Sequence, residues 1–191
     1  MYLMTSARLR DAGWRRDSVD DILFMPGDQV LKLFGLNDGA SHTEFIRSRD
    51  TGELFFLETS ARVGEAHIPE LTEAGTGANL WSEWAKLESS LVTGLSYSAP
   101  EVRHDQAGLL VSCVQQEWPD TSVFSDPEVV WKVAKRHHMG LVVSSPDGRR
   151  VAELMDSYTE IVRRTSMLPR PLKKESAINP FQNSNFMMVG F

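Results

Sequence analysis

Cysteine is almost absent. Cys113 is the one thiol in 191 residues, so no intrachain disulfide can staple the fold. It lies in the apolar run 108–114, which predicts a buried, inert thiol in a reducing, cytoplasmic setting. Long hydrophobic runs are lacking too. None reaches the about 18 residues that a membrane span needs, and arginines interrupt residues 1–16 where a secretory leader needs an apolar stretch. Excess positive charge is missing: 26 acids face 20 basic residues, for a net charge of −6. That balance argues against a dedicated nucleic-acid binder. The sequence also has no glycine-rich phosphate loop of either common type, no internal repeat and no low-complexity tract.

What is present is an ordinary globular composition. With 41% hydrophobic and 24% charged residues, the chain is long enough to bury a core. Residues 1–25 show no clean period and stay unassigned. Pro26-Gly27-Asp28 precedes Val30, Leu31, Leu33 and Phe34, which predicts a helix ending at Gly35. Asn37-Asp38-Gly39 reads as a turn. Residues 41–47 and 53–62 have strand character, and Asp50-Thr51-Gly52 between them predicts a three-residue hairpin loop. A short helix is expected at 70–73, broken by Gly75-Thr76-Gly77. A longer one follows over 79–94, with Asn79 as N-cap and Leu80, Trp84, Leu87 and Leu91 on one face. Trp81 and Trp84 are expected in the core.

Beyond Pro100 the pattern changes. Runs 108–115, 128–134 and 140–144 predict strands. Val151, Leu154, Met155, Tyr158, Ile161 and Val162 then mark an amphipathic helix. The expected division is an unassigned segment 1–25, a lobe 26–96, a small α/β subdomain 97–168 and a tail 169–191. His137 and His138 are adjacent, and neighbours on a strand point to opposite faces. A hydrogen-bonding role is therefore expected for them rather than a shared metal, and His67 and His104 are isolated.

The hairpin carries the chemistry. Centring it on Thr51 sets Arg49 opposite Glu53, Ile46 opposite Phe56, Phe45 opposite Leu57 and Glu44 opposite Glu58. Two carboxylates directly opposed on one sheet face repel each other. Protonation of one acid, a bridging cation, or splaying of both into water would relieve this, and a slip of one residue would separate them altogether. Alternation adds His42, Ser60 and Arg62 to the same face. Hard oxygen donors beside a guanidinium suit a divalent cation carrying phosphates.

His42-Thr43-Glu44-Phe45, followed by Phe56-Leu57-Glu58-Thr59-Ser60-Ala61-Arg62-Val63-Gly64, resembles the C-terminal core of the ATP-grasp superfamily. The stretch 73–81 resembles the helix that follows this core in biotin-carboxylase-like members. The likeness spans residues 30–164 and is sharpest over 41–88. It implies an α+β fold, an antiparallel sheet with flanking helices closed by a small strand–strand–helix subdomain. It also implies an ATP-dependent carboxylate–amine (or carboxylate–thiol) ligase working through an acyl phosphate, with ATP and Mg²⁺ or Mn²⁺ as cofactors. By position, Glu44 and Glu58 match the two metal-holding acids. Arg62 matches the arginine that contacts the transferred phosphate. Ser60 stands where the family most often has asparagine as a further metal ligand, and Glu65 where many members have a second glycine. The lysines and glycine-rich loop of the central lobe have no counterpart, so the chain is expected to be one part of a nucleotide clamp. Its expected partners are ATP, a small carboxylate, and the remaining lobe on a separate chain or a second copy, with neither nucleic acid nor membrane. The contrasting expectation is a non-catalytic remnant serving as an interaction module.

Overall fold

The computed structural model describes residues 2–9, 30–35, 38–48, 50–51, 53–165 and 189–190. The chain divides into two compact units, Met1–Arg103 and His104–Gly190. Both are α+β, built on small antiparallel sheets.

In the first unit, β1 (Tyr2–Leu9), β2 (Ala40–Arg47) and β3 (Leu54–Ser60) form a sheet in chain order, with β2 in the centre. Strand β1 falls in the segment left unassigned from sequence. Its residues, YLMTSARL, lack clean polar–apolar alternation, so the ladder with β2 is what defines it. A central strand is covered on both sides, and β2 accordingly buries Ala40, Ser41, His42, Thr43 and Phe45. The expected helix before it is seen as one turn at 30–33, followed by Gly35 at φ 70°. Leu31 is buried there while Leu33 and Phe34 face outward; Pro26-Gly27-Asp28 lies outside the described residues.

Helix α1 (Ile68–Thr76) is longer than the sequence suggests. Pro69 occupies its first turn, where no backbone N–H is needed. Gly75 does not break it but is a buried helical residue; the stop is Gly77, in the left-handed conformation with its N–H on the Glu73 carbonyl. Helix α2 (Leu80–Thr93) begins where expected. The Asn79 side chain accepts from the Ser82 N–H at 3.0 Å, and Gly94 ends it at φ 71°. Leu80 and Leu87 pack with Ala40 and Val63, with Trp84 and Tyr97 against them. Leu91 and Trp81 are exposed, contrary to expectation; Trp81 stacks on Trp84 with ring centroids 6.1 Å apart. A stripe at helical spacing extends past the surface it is packed against, so its last turn stays in solvent.

The second unit is a sheet ordered β5-β6-β4-β7. Its strands are β4 (Gln106–Cys113), β5 (Val129–Lys132), β6 (His138–Ser145) and β7 (Val189–Gly190). Helix α3 (Gly148–Thr165) packs on β4 and β6 through Val151, Leu154, Met155, Tyr158 and Val162, the face that the spacing marks. Gly108 lets it pack close, because a Cβ there would sit 2.7 Å from the Met155 side chain and displace it. Cys113 is exposed rather than buried. It is the last residue of β4 and alternates to the face opposite Leu110 and Val114, which pack in the helix-covered core; its Sγ lies 3.9 Å from His138 Nε2.

Candidate functional site

Strands β2 and β3 set His42 opposite Ser60, Thr43 opposite Thr59 and Glu44 opposite Glu58. The threonine hydroxyls bond across the ladder at 2.8 Å and fasten this register from the other face. Beyond Glu44 the register changes. Phe45 pairs with Phe56, Ile46 with Phe55 and Arg47 with Leu54, one step from the expected partners. A β-bulge between Glu44 and Phe45 takes up one extra residue of β3, Leu57. The loop lengthens to match: Ser48 N–H donates to the Glu53 carbonyl at 2.8 Å, leaving four residues between them instead of three. Arg49 and Gly52, which the three-residue loop relied on, lie outside the described residues. The bulge lets Phe45 meet Phe56 edge-on, with centroids 6.0 Å apart, while the two glutamates stay opposed.

The two acids have different surroundings. Glu58 is exposed, whereas the Glu44 side chain is only 19% exposed. Glu44 Oε1 accepts from His42 Nε2 at 3.0 Å. His42 is buried, and its Nδ1 has no hydrogen-bond partner among the described residues. Strand β3 ends at Ser60, so strand alternation does not extend to Arg62, which sits in the bend that follows. Its guanidinium donates to the Val63 carbonyl at 3.2 Å and lies 3.4 Å from Glu65. Among the described residues no three His, Cys, Asp or Glu side chains gather as a ready-made metal cage. The hairpin thus offers two carboxylates in register, a hydroxyl and a nearby arginine, an incomplete shell of the kind Mg²⁺ takes when phosphates supply the rest.

The fold is similar to part of that of solved ATP-grasp structures. No family model matches the sequence, and no curated protein matches it. Solved structures do. An L-amino acid ligase from Bacillus licheniformis is 17% identical over 81% of this chain and 52% of its own, with a TM-score of 0.55. A carboxyaminoimidazole ribonucleotide synthase from Aspergillus clavatus, solved with ATP, is 14% identical over 85% of this chain and 43% of its own, also at 0.55. An N5-carboxyaminoimidazole synthase from the same organism, with ADP and 5-aminoimidazole ribonucleotide, is 13% identical over 84% and 48%, at 0.54. The chain spans about half the length of the solved chains it matches, and at these identities the likeness is one of fold.

Two further polar clusters join separate segments of the chain, and those long-range pairings had no signal in the sequence. In the second unit, Arg150 forks onto Glu128 (Nε–Oε1 2.8 Å) and reaches Asp126 at 2.7 Å. The Tyr158 hydroxyl also donates to Asp126. The Tyr158 bond, with Arg150 adding to it, holds the Asp126 carboxyl below its ordinary range, and Arg150 does the same for Glu128. This ties α3 to the segment leading into β5. In the first unit, buried Glu83 receives Lys86 at 2.6 Å and Tyr97 at 3.0 Å. Burial, and then the bond to Glu83, pushes the Tyr97 phenol up to about 12. An open groove of about 570 Å³ beside them is lined by Ser82, Lys86, Ser89, Thr93 and Tyr97 and includes no hairpin residue. His137 donates to the Gln115 carbonyl and His138 to that of Arg136, at 3.2 and 2.8 Å. No described helix is long and apolar enough to cross a membrane.

Proposed function

We propose that this chain carries the Mg²⁺–ATP site of an ATP-dependent carboxylate–amine (or carboxylate–thiol) ligase that works through an acyl phosphate. The observation that supports this most is the opposition of Glu44 and Glu58 across the β2–β3 ladder. Opposed like charges weaken a hairpin unless something bridges them. Glu44, Glu58 and the Ser60 hydroxyl would hold Mg²⁺, or Mn²⁺ in its place. Bound there, the cation would neutralise phosphate charge, the main requirement of phosphoryl transfer. Arg62 is the residue for the transferred phosphate. Its contact with Glu65, a largely exposed side chain, is a weak surface pair that a phosphate can displace. A guanidinium then forks onto two oxygens, which a lysine cannot do.

The rest of the nucleotide clamp, with its phosphate lysines, would come from a further lobe. The test is calorimetric titration with ATP in the presence and absence of Mg²⁺, in the wild type and Glu58→Gln. Saturable binding that needs Mg²⁺ and weakens about tenfold or more in the variant is expected, a loss of about 1.4 kcal/mol. Equal binding by both proteins would place the nucleotide elsewhere.

A further inference from the structure

We infer that His42 is a positioning residue, which holds the Glu44 carboxylate in a fixed orientation for its metal through one defined tautomer. This rests on the reading of Glu44 as a metal ligand. Four observations carry it. His42 and Glu44 lie two residues apart on the central strand and so share a face, with Nε2 3.0 Å from Oε1. Both groups are largely shielded, with side chains 4% and 19% exposed. The far nitrogen, Nδ1, is buried without a partner among the described residues. That nitrogen is also closed in by the backbone: a Cβ on Gly64 would lie 2.9 Å from it and 3.1 Å from Ile68 Cγ2.

An ionised carboxylate only accepts hydrogen bonds, so the proton of this contact must sit on Nε2. Nδ1 then keeps a lone pair. A buried orphan acceptor is the tolerable defect; a buried orphan N–H is rarer and costlier. The carboxylate is held by a donor on a buried ring, and Oε2 is left for the cation. The donor also draws charge from Glu44 where Glu58 opposes it. Partners of metal ligands act this way generally, and losing one lowers metal affinity about 10–100-fold.

The experiment uses two readouts. Nitrogen NMR of the imidazole, without metal, reads the tautomer; a protonated Nε2 whose signal shifts in Glu44→Gln is expected. Mn²⁺ alone, followed by the loss of its free EPR signal, reads affinity in the wild type, His42→Gln and His42→Leu. Glutamine places an N–H near the Nε2 position, whereas leucine fills the space without a donor. Affinity within about threefold of wild type for glutamine, and lower by about tenfold or more for leucine, supports the inference. A proton on Nδ1 overturns it, as do two variants that bind alike while circular dichroism shows both folded. A wild type that binds no Mn²⁺ while Nε2 is protonated overturns the metal reading of Glu44 and takes the positioning role with it; the His42–Glu44 contact is then purely structural.

Discussion

Gly64 has no room for a methyl group. A Cβ there would meet the His42 ring at 2.9 Å and Ile68 at 3.1 and 3.2 Å, and none of these atoms is the free end of a flexible chain. Gly64→Ala should destabilise the first unit by about 1–3 kcal/mol, the usual cost of overpacking. Urea denaturation checks this; an unchanged midpoint would mean that the ring yields freely. At this scale the sequence was legible where chemistry alone decides. Glu44, Glu58, His42 and Ser60 stand on the ladder positions that their numbers predict, because the residue added to the loop is offset by the one taken up in the bulge. Cys113 was not legible. An apolar run predicts burial of its residues, but strand alternation turns Cys113 to the face opposite Val114, which stays in the core.

At the scale of elements, caps and bulges decide what the periodicity leaves open. Asn79 was legible because an N-cap has a specific residue preference. It accepts from Ser82 N–H and donates to Glu73 at 2.8 Å, so it joins two helices. Asn79→Ala should cost about 0.5–2 kcal/mol of stability, with loss of α2 helicity measurable by circular dichroism. The bulge after Glu44 was illegible. Inserting one residue changes no composition, and Phe45 finds an aromatic partner in Phe56 where a leucine was expected. Strand β1 was equally hidden, since its pairing depends on β2 rather than on its own pattern.

The Asp126–Glu128–Arg150–Tyr158 cluster makes a pH prediction. Asp126 and Glu128 titrate lower in the fold than in the unfolded chain. The unfolded state therefore binds more protons in that window, so stability rises with pH through it. The contribution is complete above the ordinary carboxylate range and is lost as pH falls through the lowered values. Arg150→Met should flatten this acid slope in urea midpoints taken across acidic pH, and a slope equal to wild type would remove the cluster from the account. Tyr97 works at the other end. Its phenol is raised from 10.0 to about 12, so its contribution is intact below 10 and lost as pH climbs toward 12. Ultraviolet titration should show a late phenol step that Tyr97→Phe removes.

For the whole molecule, the fold is similar to part of that of solved ATP-grasp structures, and the opposed hairpin glutamates carry a cost in stability that a neutral pair would avoid. The measurement that tests this most directly is the thermal midpoint of wild type and Glu58→Gln, each with and without Mg²⁺–ATP. Without ligand, the variant should be the more stable by about 0.2–1 kcal/mol, the size of a relieved cross-strand repulsion. With Mg²⁺–ATP, the wild type should gain stability by mass action and the variant should not. A variant that is less stable without ligand, yet gains as much as wild type when Mg²⁺–ATP is added, would show that the glutamates support the sheet and hold no metal.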